Sequence, residues 1–254
     1  MNLIMPMAGN GSRFSKEGFL VPKPLLSLFG KPFFYWAANS VLAHAKVSNV
    51  VFVVLRQHVV EHRIDEAIRN VYPDASVVVL DEVLQGPSLS VAAALDRIDN
   101  DDPILVNDCD HAFECPCLFA DMARRKPFFR DGDGGAIVTF ESSLPQYSYA
   151  EFDAQGNVVG TVEKKVVSDR AICGAYLFPS AARYLDLLRG YSDACSYDEL
   201  FISGLFNEAV RRGMPVLEYR VASHVSFGTP EEYQDVVEGF SAERFGERYG
   251  GQVL

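Results

Sequence analysis

The first half of the chain alternates short apolar runs with amphipathic stretches, and this alternation constrains the fold more than any other feature. It is typical of βαβ units, in which parallel strands form one sheet and helices cover both of its faces. The predicted strands lie at residues 2–7, 50–55, 76–80 and 103–107, and the predicted helices between them at 32–45, 60–71 and 88–98. The pattern therefore predicts an α/β fold with a parallel N-terminal core.

The second half has strands joined by shorter connections, which favours antiparallel pairing. Gly156 supplies the positive φ of a predicted hairpin turn at residues 153–157. The other elements are predicted strands at 135–141, 149–153, 158–163, 172–178 and 216–219, and predicted helices at 180–189, at 197–212 and after Thr229. We expect one domain over residues 1–240 and a loosely held polar tail over residues 241–254.

Charge and cysteine content limit the partners and the compartment. The 254 residues include 34 acidic and 23 basic side chains, for a net charge of -11, which disfavours binding to nucleic-acid backbones. The most apolar run, residues 50–55, is far shorter than the about 20 residues of a membrane-spanning helix. The N-terminus has no basic region of a signal peptide, and the five cysteines form no zinc pattern. We expect a cytoplasmic protein that binds neither nucleic acid nor membrane.

A glycine loop follows the first predicted strand. Gly9 and Gly11 let backbone N–H groups approach an anion closely, and Arg13 adds a planar cationic donor suited to phosphate. A plain tight turn explains the two glycines equally well. A dinucleotide fingerprint would need a third glycine where Phe14 stands, and a Walker loop would need a Gly-Lys-Ser/Thr ending. The loop thus indicates a phosphate site of another kind.

Lys23 lies between two prolines, ten residues after Arg13. Pro22 and Pro24 restrict the backbone on both sides, so the ammonium group can be aimed with little loss of entropy. An isolated lysine is usually a solvated surface residue. The glycine loop upstream favours a phosphate-binding function here.

Asp108 and Asp110 follow a predicted strand of the parallel core. Carboxylates at the carboxyl end of such a strand can hold Mg²⁺ beside nucleotide phosphates, where open α/β sheets bind their ligands. Helix capping or a solvated loop is the alternative interpretation of this acidic pair.

Together, Gly9-x-Gly11-x-Arg13 and Pro22-Lys23-Pro24-Leu25 resemble the signature of the sugar-phosphate nucleotidyltransferases, the nucleotide-sugar pyrophosphorylases. The resemblance covers about residues 1–240, and the later matches are individually weak but keep the family's order. They are Gln85-Gly86-Pro87-Ser88, Val106-Asn107-Asp108-Cys109-Asp110, Glu163-Lys164, Gly174-Ala175-Tyr176 and the segment from Gly228 to Tyr233.

The resemblance implies a fold, a reaction and a set of site residues. The fold is a three-layer, Rossmann-like mixed sheet of GT-A type, with a parallel N-terminal core and an antiparallel second part. The reaction joins an NTP to a sugar 1-phosphate or similar phosphorylated acceptor, giving an NDP-sugar for polysaccharide biosynthesis and pyrophosphate, with Mg²⁺ as cofactor. The implied residues are Arg13, Lys23 and Asp110 for catalysis; Ala8, Gly9, Gly11, Ser12, Arg13, Gln85 and Gly86 for the nucleotide; Glu163, Lys164 and Gly174 for the acceptor; and Asp110 with Asp108 for the metal.

One departure from the family and two alternatives remain. Members typically have a second metal-binding aspartate where this chain has Ser226, so we expect weaker Mg²⁺ binding. Asp108-Cys109-Asp110 also matches the metal motif of GT-A glycosyltransferases, and a non-catalytic nucleotide-sugar sensor would keep the same fold. The sequence leaves open which NTP base and which phosphorylated acceptor are used, and whether the protein forms a homo-oligomer.

Overall fold

The structure is a computed structural model that describes residues 1–125 and 127–250. Its strands are β1 (Asn2–Pro6), β2 (Ser27–Leu28), β3 (Lys31–Pro32), β4 (Asn49–Leu55), β5 (Ser76–Leu80), β6 (Ile104–Asn107), β7 (His111–Glu114), β8 (Gly135–Glu141), β9 (Ser148–Phe152), β10 (Val158–Glu163), β11 (Arg170–Phe178), β12 (Val216–Arg220) and β13 (Ser223–Ser226). Its α-helices are α1 (Ser12–Lys16), α2 (Phe33–Leu42), α3 (Arg56–His62), α4 (Ile64–Val71), α5 (Pro87–Ala92), α6 (Pro116–Arg124), α7 (Ala181–Ala194), α8 (Gly204–Arg211), α9 (Pro230–Gly239) and α10 (Ala242–Tyr249). Within these described ranges, no helix has the length and apolar character needed to cross a bilayer.

Four strands from the first half form the parallel centre of the main sheet. β1 lies between β6 and β4, and β5 pairs with the far side of β4. Leu3 and Met5 of β1 face one side of the sheet and Ile4 faces the other, and all three are fully buried. A strand covered by helices on both sides needs apolar residues at every position, which explains the continuous apolar runs. The predicted parallel core is confirmed.

The strands of the second half extend the same sheet. β11 pairs antiparallel with β6 on one side and with β8 and β9 on the other. β9 and β10 form the predicted hairpin, in which Gly156 has a φ of 83° and the Asp153 carboxylate accepts two backbone N–H bonds of the turn. β12 is an exception, because it runs parallel to β8. The predicted mixed sheet with an antiparallel second part is thus confirmed.

Helices cover both faces of this sheet and complete three layers. On one face, α5, α7 and α8 contribute the buried side chains of Val91, Tyr184 and Leu205. On the other face, α2 and α4 contribute Phe34 and Ile68. The predicted three-layer arrangement is therefore present, and it leaves the carboxyl ends of β1 and β6 open at one edge.

Several predicted helices were wrong in extent: the one predicted over residues 88–98 is α-helical only to Ala92, and the one predicted over residues 180–189 continues to Ala194. The helix predicted over residues 60–71 is divided into α3 and α4, because Arg63 takes a left-handed φ of 51° that ends α3. Of residues 197–212, only α8 is α-helical. Leu200 uses its backbone N–H and C=O for hydrogen bonds to Gln85 and Ser88, at 2.9 and 3.1 Å, so this segment is held by a distant loop and not by helical bonds.

The tail predicted over residues 241–254 is not loosely held where the structure describes it. Helix α10 buries Phe245 and Tyr249 on one face, and the Phe245 ring lies 4.9 Å from the Trp36 ring. The prediction failed because two aromatic residues four positions apart suffice to dock one face of an otherwise polar helix. Residues 251–254 lie outside the described residues.

Candidate active site

The glycine loop after β1 and the turn carrying Lys23 meet at the open edge of the sheet. Gly11 has a φ of 57°, and a Cβ there would lie 3.4 Å from the Cβ of Lys23. Glycine therefore allows this close approach. Phe14 is buried in the core, which fixes α1 beside the cavity. Gly11, Ser12, Arg13 and Lys23 line one cavity of about 420 Å³.

The other two loop residues lie close by. Gly9 lines a small recess that it shares with Lys23, Asp108 and Asp110. Ala8 is buried in the core beneath the loop. The structure thus brings the loop, the lysine and both aspartates into one region, although they are up to 102 positions apart in the chain.

Lys23 and Asp110 form an ion pair with 2.7 Å between Nζ and Oδ2. Burial by itself lowers the pKa of Lys23, but the neighbouring carboxylate of Asp110 raises it well above its usual value. Burial likewise raises the pKa of Asp110, while the ammonium group holds it below its usual range. Both partners are therefore charged at neutral pH. The lysine thus contacts Asp110, the aspartate that is predicted to bind the metal.

Asp108 lies against Gly174. Its backbone N–H donates to the Gly174 carbonyl at 2.9 Å, and a Cβ at position 174 would come within 2.6 Å of Asp108 Oδ2. Gly174 also has a φ of 75°, so glycine is required there twice over. Burial, followed by the charge of Asp110, raises the pKa of Asp108 to about 7. Two carboxylates held this close favour a cation between or beside them.

The donor set fits a magnesium ion that arrives with phosphates. Asp108 and Asp110 line the same recess, and Lys23 occupies only one oxygen of Asp110. Residues 1–125 and 127–250 contain no cluster of three or more His, Cys, Asp or Glu suited to a metal. Mg²⁺ is commonly held by one or two carboxylates together with waters and substrate phosphates. The aspartates could therefore hold it only weakly before a nucleotide binds.

Two of the predicted acceptor residues, Glu163 and Lys164, line the 420 Å³ cavity together with the glycine loop, and the third, Gly174, lines a smaller recess beside it. Glu163 Oε1 accepts hydrogen bonds from the hydroxyls of Ser148, at 2.6 Å, and of Ser203. Lys164 has a left-handed φ of 53°, and its Nζ lies 5.1 Å from the centre of the Phe201 ring. These contacts orient the Glu-Lys pair towards the cavity.

The predicted base-reading loop lies at the cavity rim. Gly86 has a φ of 115°, and any Cβ there would overlap the backbone of Leu200. Gln85 is exposed, and its side-chain amide donates to the carbonyl of Asp198 at 3.4 Å. Pro87 is the residue of this loop that lines the cavity. The roles of Gln85 and Gly86 in base selection stay predictions.

Glu232 is a residue of the site that the sequence did not single out. It belongs to the capping box of α9, whose Thr-x-x-Glu pattern predicted only the start of a helix. Its carboxylate joins two segments beside the cavity, residues 146–147 and residues 226–229. It accepts hydrogen bonds from the Ser226 hydroxyl (2.8 Å), from the backbone N–H groups of Gly228 (2.9 Å) and Thr229 (3.0 Å), from the Gln146 amide (2.9 Å) and from the Tyr147 hydroxyl.

Removing this carboxylate is expected to destabilise the fold. Because Glu232→Ala leaves several partly buried donors without an acceptor, we expect the free energy of unfolding to fall by about 2 to 4 kcal/mol. Urea denaturation measures the change. The matched control is Glu231→Ala on the same helical turn, whose exposed side chain should leave the midpoint nearly unchanged. Equal midpoints for the two variants would contradict the importance of this network.

Ser226, which replaces the expected second aspartate, faces the metal region. It lines a recess together with Asp110 and stands opposite His111 in the β7–β13 pair. Its hydroxyl donates to Glu232, so an aspartate at this position would place a second carboxylate against the first. The serine therefore forms a hydrogen bond with Glu232, whereas an aspartate would repel its carboxylate. Weaker Mg²⁺ binding stays a prediction.

A larger cavity, of about 850 Å³, lies at the other edge of the sheet. Met1, Pro103, Phe128 and Arg183 are among its lining residues, and the first two precede β1 and β6. Open α/β sheets bind ligands at the carboxyl ends of their strands. The predicted phosphate-binding residues and the two aspartates also lie at that end, so the chemistry of the lining residues, and not the cavity volume, identifies the candidate active site.

The fold is that of the nucleotidyltransferases. A nucleoside-diphosphate-sugar pyrophosphorylase from Vibrio cholerae RC9 superimposes with a TM-score of 0.78 at 24% identity, covering 93% of this chain and 99% of that one. An inositol-1-phosphate CTP transferase from T. maritima superimposes with a TM-score of 0.72 at 17% identity, covering 97% and 96%. At these identities the likeness establishes the architecture.

The chain belongs to the MobA-like NTP transferase domain family, whose model matches residues 4–152. The nucleotidyltransferase resemblance of the sequence motifs is thereby confirmed. Two curated relatives, both named bifunctional enzyme IspD/IspF and from two strains of Nitratidesulfovibrio vulgaris, are 32% identical over 141 residues. That match covers 53% of this chain and 34% of each relative, so the chain spans about a third of their length.

Proposed function

We propose that this protein transfers a nucleotide from an NTP to a sugar 1-phosphate or a similar phosphorylated acceptor, forming an NDP-sugar and pyrophosphate. The observation that carries the proposal is the meeting of Arg13, Lys23 and Asp110 at the carboxyl ends of β1 and β6. Family membership and the pyrophosphorylase fold support it.

The proposed reaction is a single in-line displacement. An oxygen of the acceptor phosphate forms a bond to the α-phosphorus of the NTP, and the bond from that phosphorus to the β-phosphate oxygen breaks. Arg13 binds the departing pyrophosphate, and Lys23 neutralises charge between the two reacting phosphates. Such transfers depend on positioning and charge more than on acid–base groups. Mg²⁺ on Asp110, with Asp108 beside it, supplies further charge neutralisation when the nucleotide is bound.

The remaining predicted residues divide between the two substrates. Gln85 and Gly86 select the base from the rim, and Glu163, Lys164 and Gly174 hold the acceptor. Glu163 and Lys164 line the same cavity as Arg13, which supports this division.

A GT-A glycosyltransferase is the second candidate, favoured by Asp108-Cys109-Asp110 alone. It would consume a finished nucleotide-sugar, and its chemistry gives no use to the Arg13 loop or to Lys23. A non-catalytic sensor would bind nucleotide and turn over nothing.

Pyrophosphate release separates these functions. The protein is incubated with Mg²⁺, each of five NTPs and a panel of phosphorylated acceptors that includes hexose 1-phosphates, inositol 1-phosphate and phosphocholine. Release that depends on both substrates is the expected result. Nucleotide binding without release in any combination would overturn the proposal.

Arg13→Ala is expected to weaken NTP binding chiefly. A charge-assisted hydrogen bond to phosphate contributes about 1.5 to 3 kcal/mol, so the affinity should fall by about ten- to a hundredfold. Isothermal calorimetry with NTP and Mg²⁺ measures it. Lys16→Ala, an exposed basic residue of the same short helix, is the control. If both variants bind NTP equally, the loop is an ordinary turn.

A further inference from the structure

A small recess, lined in part by the predicted acceptor residue Gly174, lies beside the 420 Å³ cavity. Its volume is about 160 Å³. It is continuous with the 420 Å³ cavity, because the two share six lining residues, namely Arg13, Asp108, Gln146, Ser148, Tyr176 and Gly228. A group bound beside Glu163 and Gly174 would therefore reach into it.

Two histidines of the β7–β13 pair, His111 and His224, are among the residues of this recess. We call these two side chains the imidazole floor. The ring of His224 stacks on Phe140, with 3.9 Å between ring centres, and meets the edge of His111 at 5.7 Å. The imidazole floor is thus held in a defined orientation.

Hydrogen bonding determines which nitrogen of His111 carries the proton. The side-chain amide of Asn107 donates through Nδ2 to the carbonyl of Ala37 at 2.9 Å. A carbonyl can only accept, so the assignment of the two amide atoms is settled, and Asn107 Oδ1 faces His111 Nε2 at 3.1 Å. Nε2 must then be the donor. In the neutral ring, Nδ1 is left as a lone-pair acceptor.

We propose that His111 determines acceptor specificity, with Nδ1 accepting a hydrogen bond from a hydroxyl group on the carbon skeleton of the phosphorylated acceptor. The inference rests on the proposed function and deepens it, because it names a polyhydroxylated acceptor. Two other groups that line the recess can also accept: the Asp108 carboxylate, and the hydroxyl of Ser148, which donates to Glu163 and can accept from a further donor. An acceptor without hydroxyl donors leaves these groups unpaired, which costs binding.

The test compares hydroxyl deletions in the acceptor between wild type and His111→Phe. The probes are the hexose 1-phosphate with the highest turnover, its monodeoxy analogues, and phosphocholine as an acceptor lacking hydroxyls. In wild type, one deletion is expected to raise the acceptor KM by about tenfold. In His111→Phe, the KM for the unmodified hexose 1-phosphate should already be about as high as the wild-type KM for that deoxy analogue. Removing the same hydroxyl should then raise the KM of the variant little further. The KM for NTP should stay within about twofold of the wild-type value. His44→Phe is the matched control, because that ring stacks on Phe119 at the far edge of the sheet.

A second measurement does not depend on activity or on the folding of a variant. In the wild-type protein, ¹⁵N chemical shifts should show His111 protonated at Nε2 and unprotonated at Nδ1. A proton on Nδ1 overturns the inference, and so do equal deletion penalties in wild type and His111→Phe, or turnover of phosphocholine above every hexose phosphate. Pyrophosphate release with no acceptor at all in the wild type overturns the proposed function instead.

Discussion

Lys23→Ala should lower kcat/KM by several hundredfold or more while the protein stays folded. One charge aimed at a transferring phosphoryl group contributes about 3 to 4 kcal/mol to the transition state. Lys23 is held by Asp110 at 2.7 Å and flanked by two prolines. Little conformational entropy is therefore lost when its ammonium group binds the reacting phosphates. Steady-state pyrophosphate release measures the effect.

The stability of the Lys23→Ala variant distinguishes lost chemistry from lost structure. Only 26% and 25% of the two side chains in the ion pair are exposed, so removing the ammonium group leaves Asp110 largely buried without its partner, and the free energy of unfolding should fall by about 1 to 3 kcal/mol. Lys16→Ala, which removes an exposed lysine nearby, should turn over like the wild type. Wild-type turnover by the folded Lys23→Ala protein would remove Lys23 from the mechanism.

Asp110→Asn should abolish the Mg²⁺ dependence of turnover and lower turnover by at least about a hundredfold. The amide keeps the shape of the side chain but removes the negative charge that pairs with Lys23 and that we propose to hold Mg²⁺. Two measurements check this result: Mg²⁺ titration of pyrophosphate release, and Mn²⁺ binding by electron paramagnetic resonance in the presence of NTP. The second does not require catalysis.

The control for Asp110→Asn is Asp65→Asn. Asp65 also forms an ion pair, with Arg69 at 2.7 Å, but on the surface of α4 and away from the cavity. Its substitution should leave both measurements unchanged. Unaltered Mn²⁺ affinity in Asp110→Asn would place the metal on other residues, and the aspartates would then serve only to orient Lys23.

The motifs that could be predicted from the sequence are the local ones. Gly9, Gly11 and Arg13 act within five positions of one another, and the two prolines beside Lys23 restrict its backbone directly. The strands of the parallel core were equally predictable, since burial on both faces imposes continuous apolar runs.

Residues that act through distant partners could not be predicted. β7 and β13 are four-residue segments of mixed polarity, His-Ala-Phe-Glu and Ser-His-Val-Ser, and nothing in either one indicates a strand. They become strands because each satisfies the backbone of the other across more than a hundred positions. His111 and His224 come together for that reason alone.

The sequence by itself determined the α/β class, the parallel core, and the glycine-loop and acidic motifs at the ends of its strands, because periodicity and short spacings are properties of contiguous residues. Only the tertiary structure decided that Lys23 pairs with Asp110, that Glu232 joins residues 146–147 to residues 226–229, and that Asn107 settles the tautomer of His111. Each of those contacts joins side chains whose distance in space depends on the packing of the whole sheet and its helices. Hydrogen bonds and ion pairs act over a few ångströms, so their partners are known only when the packing is known.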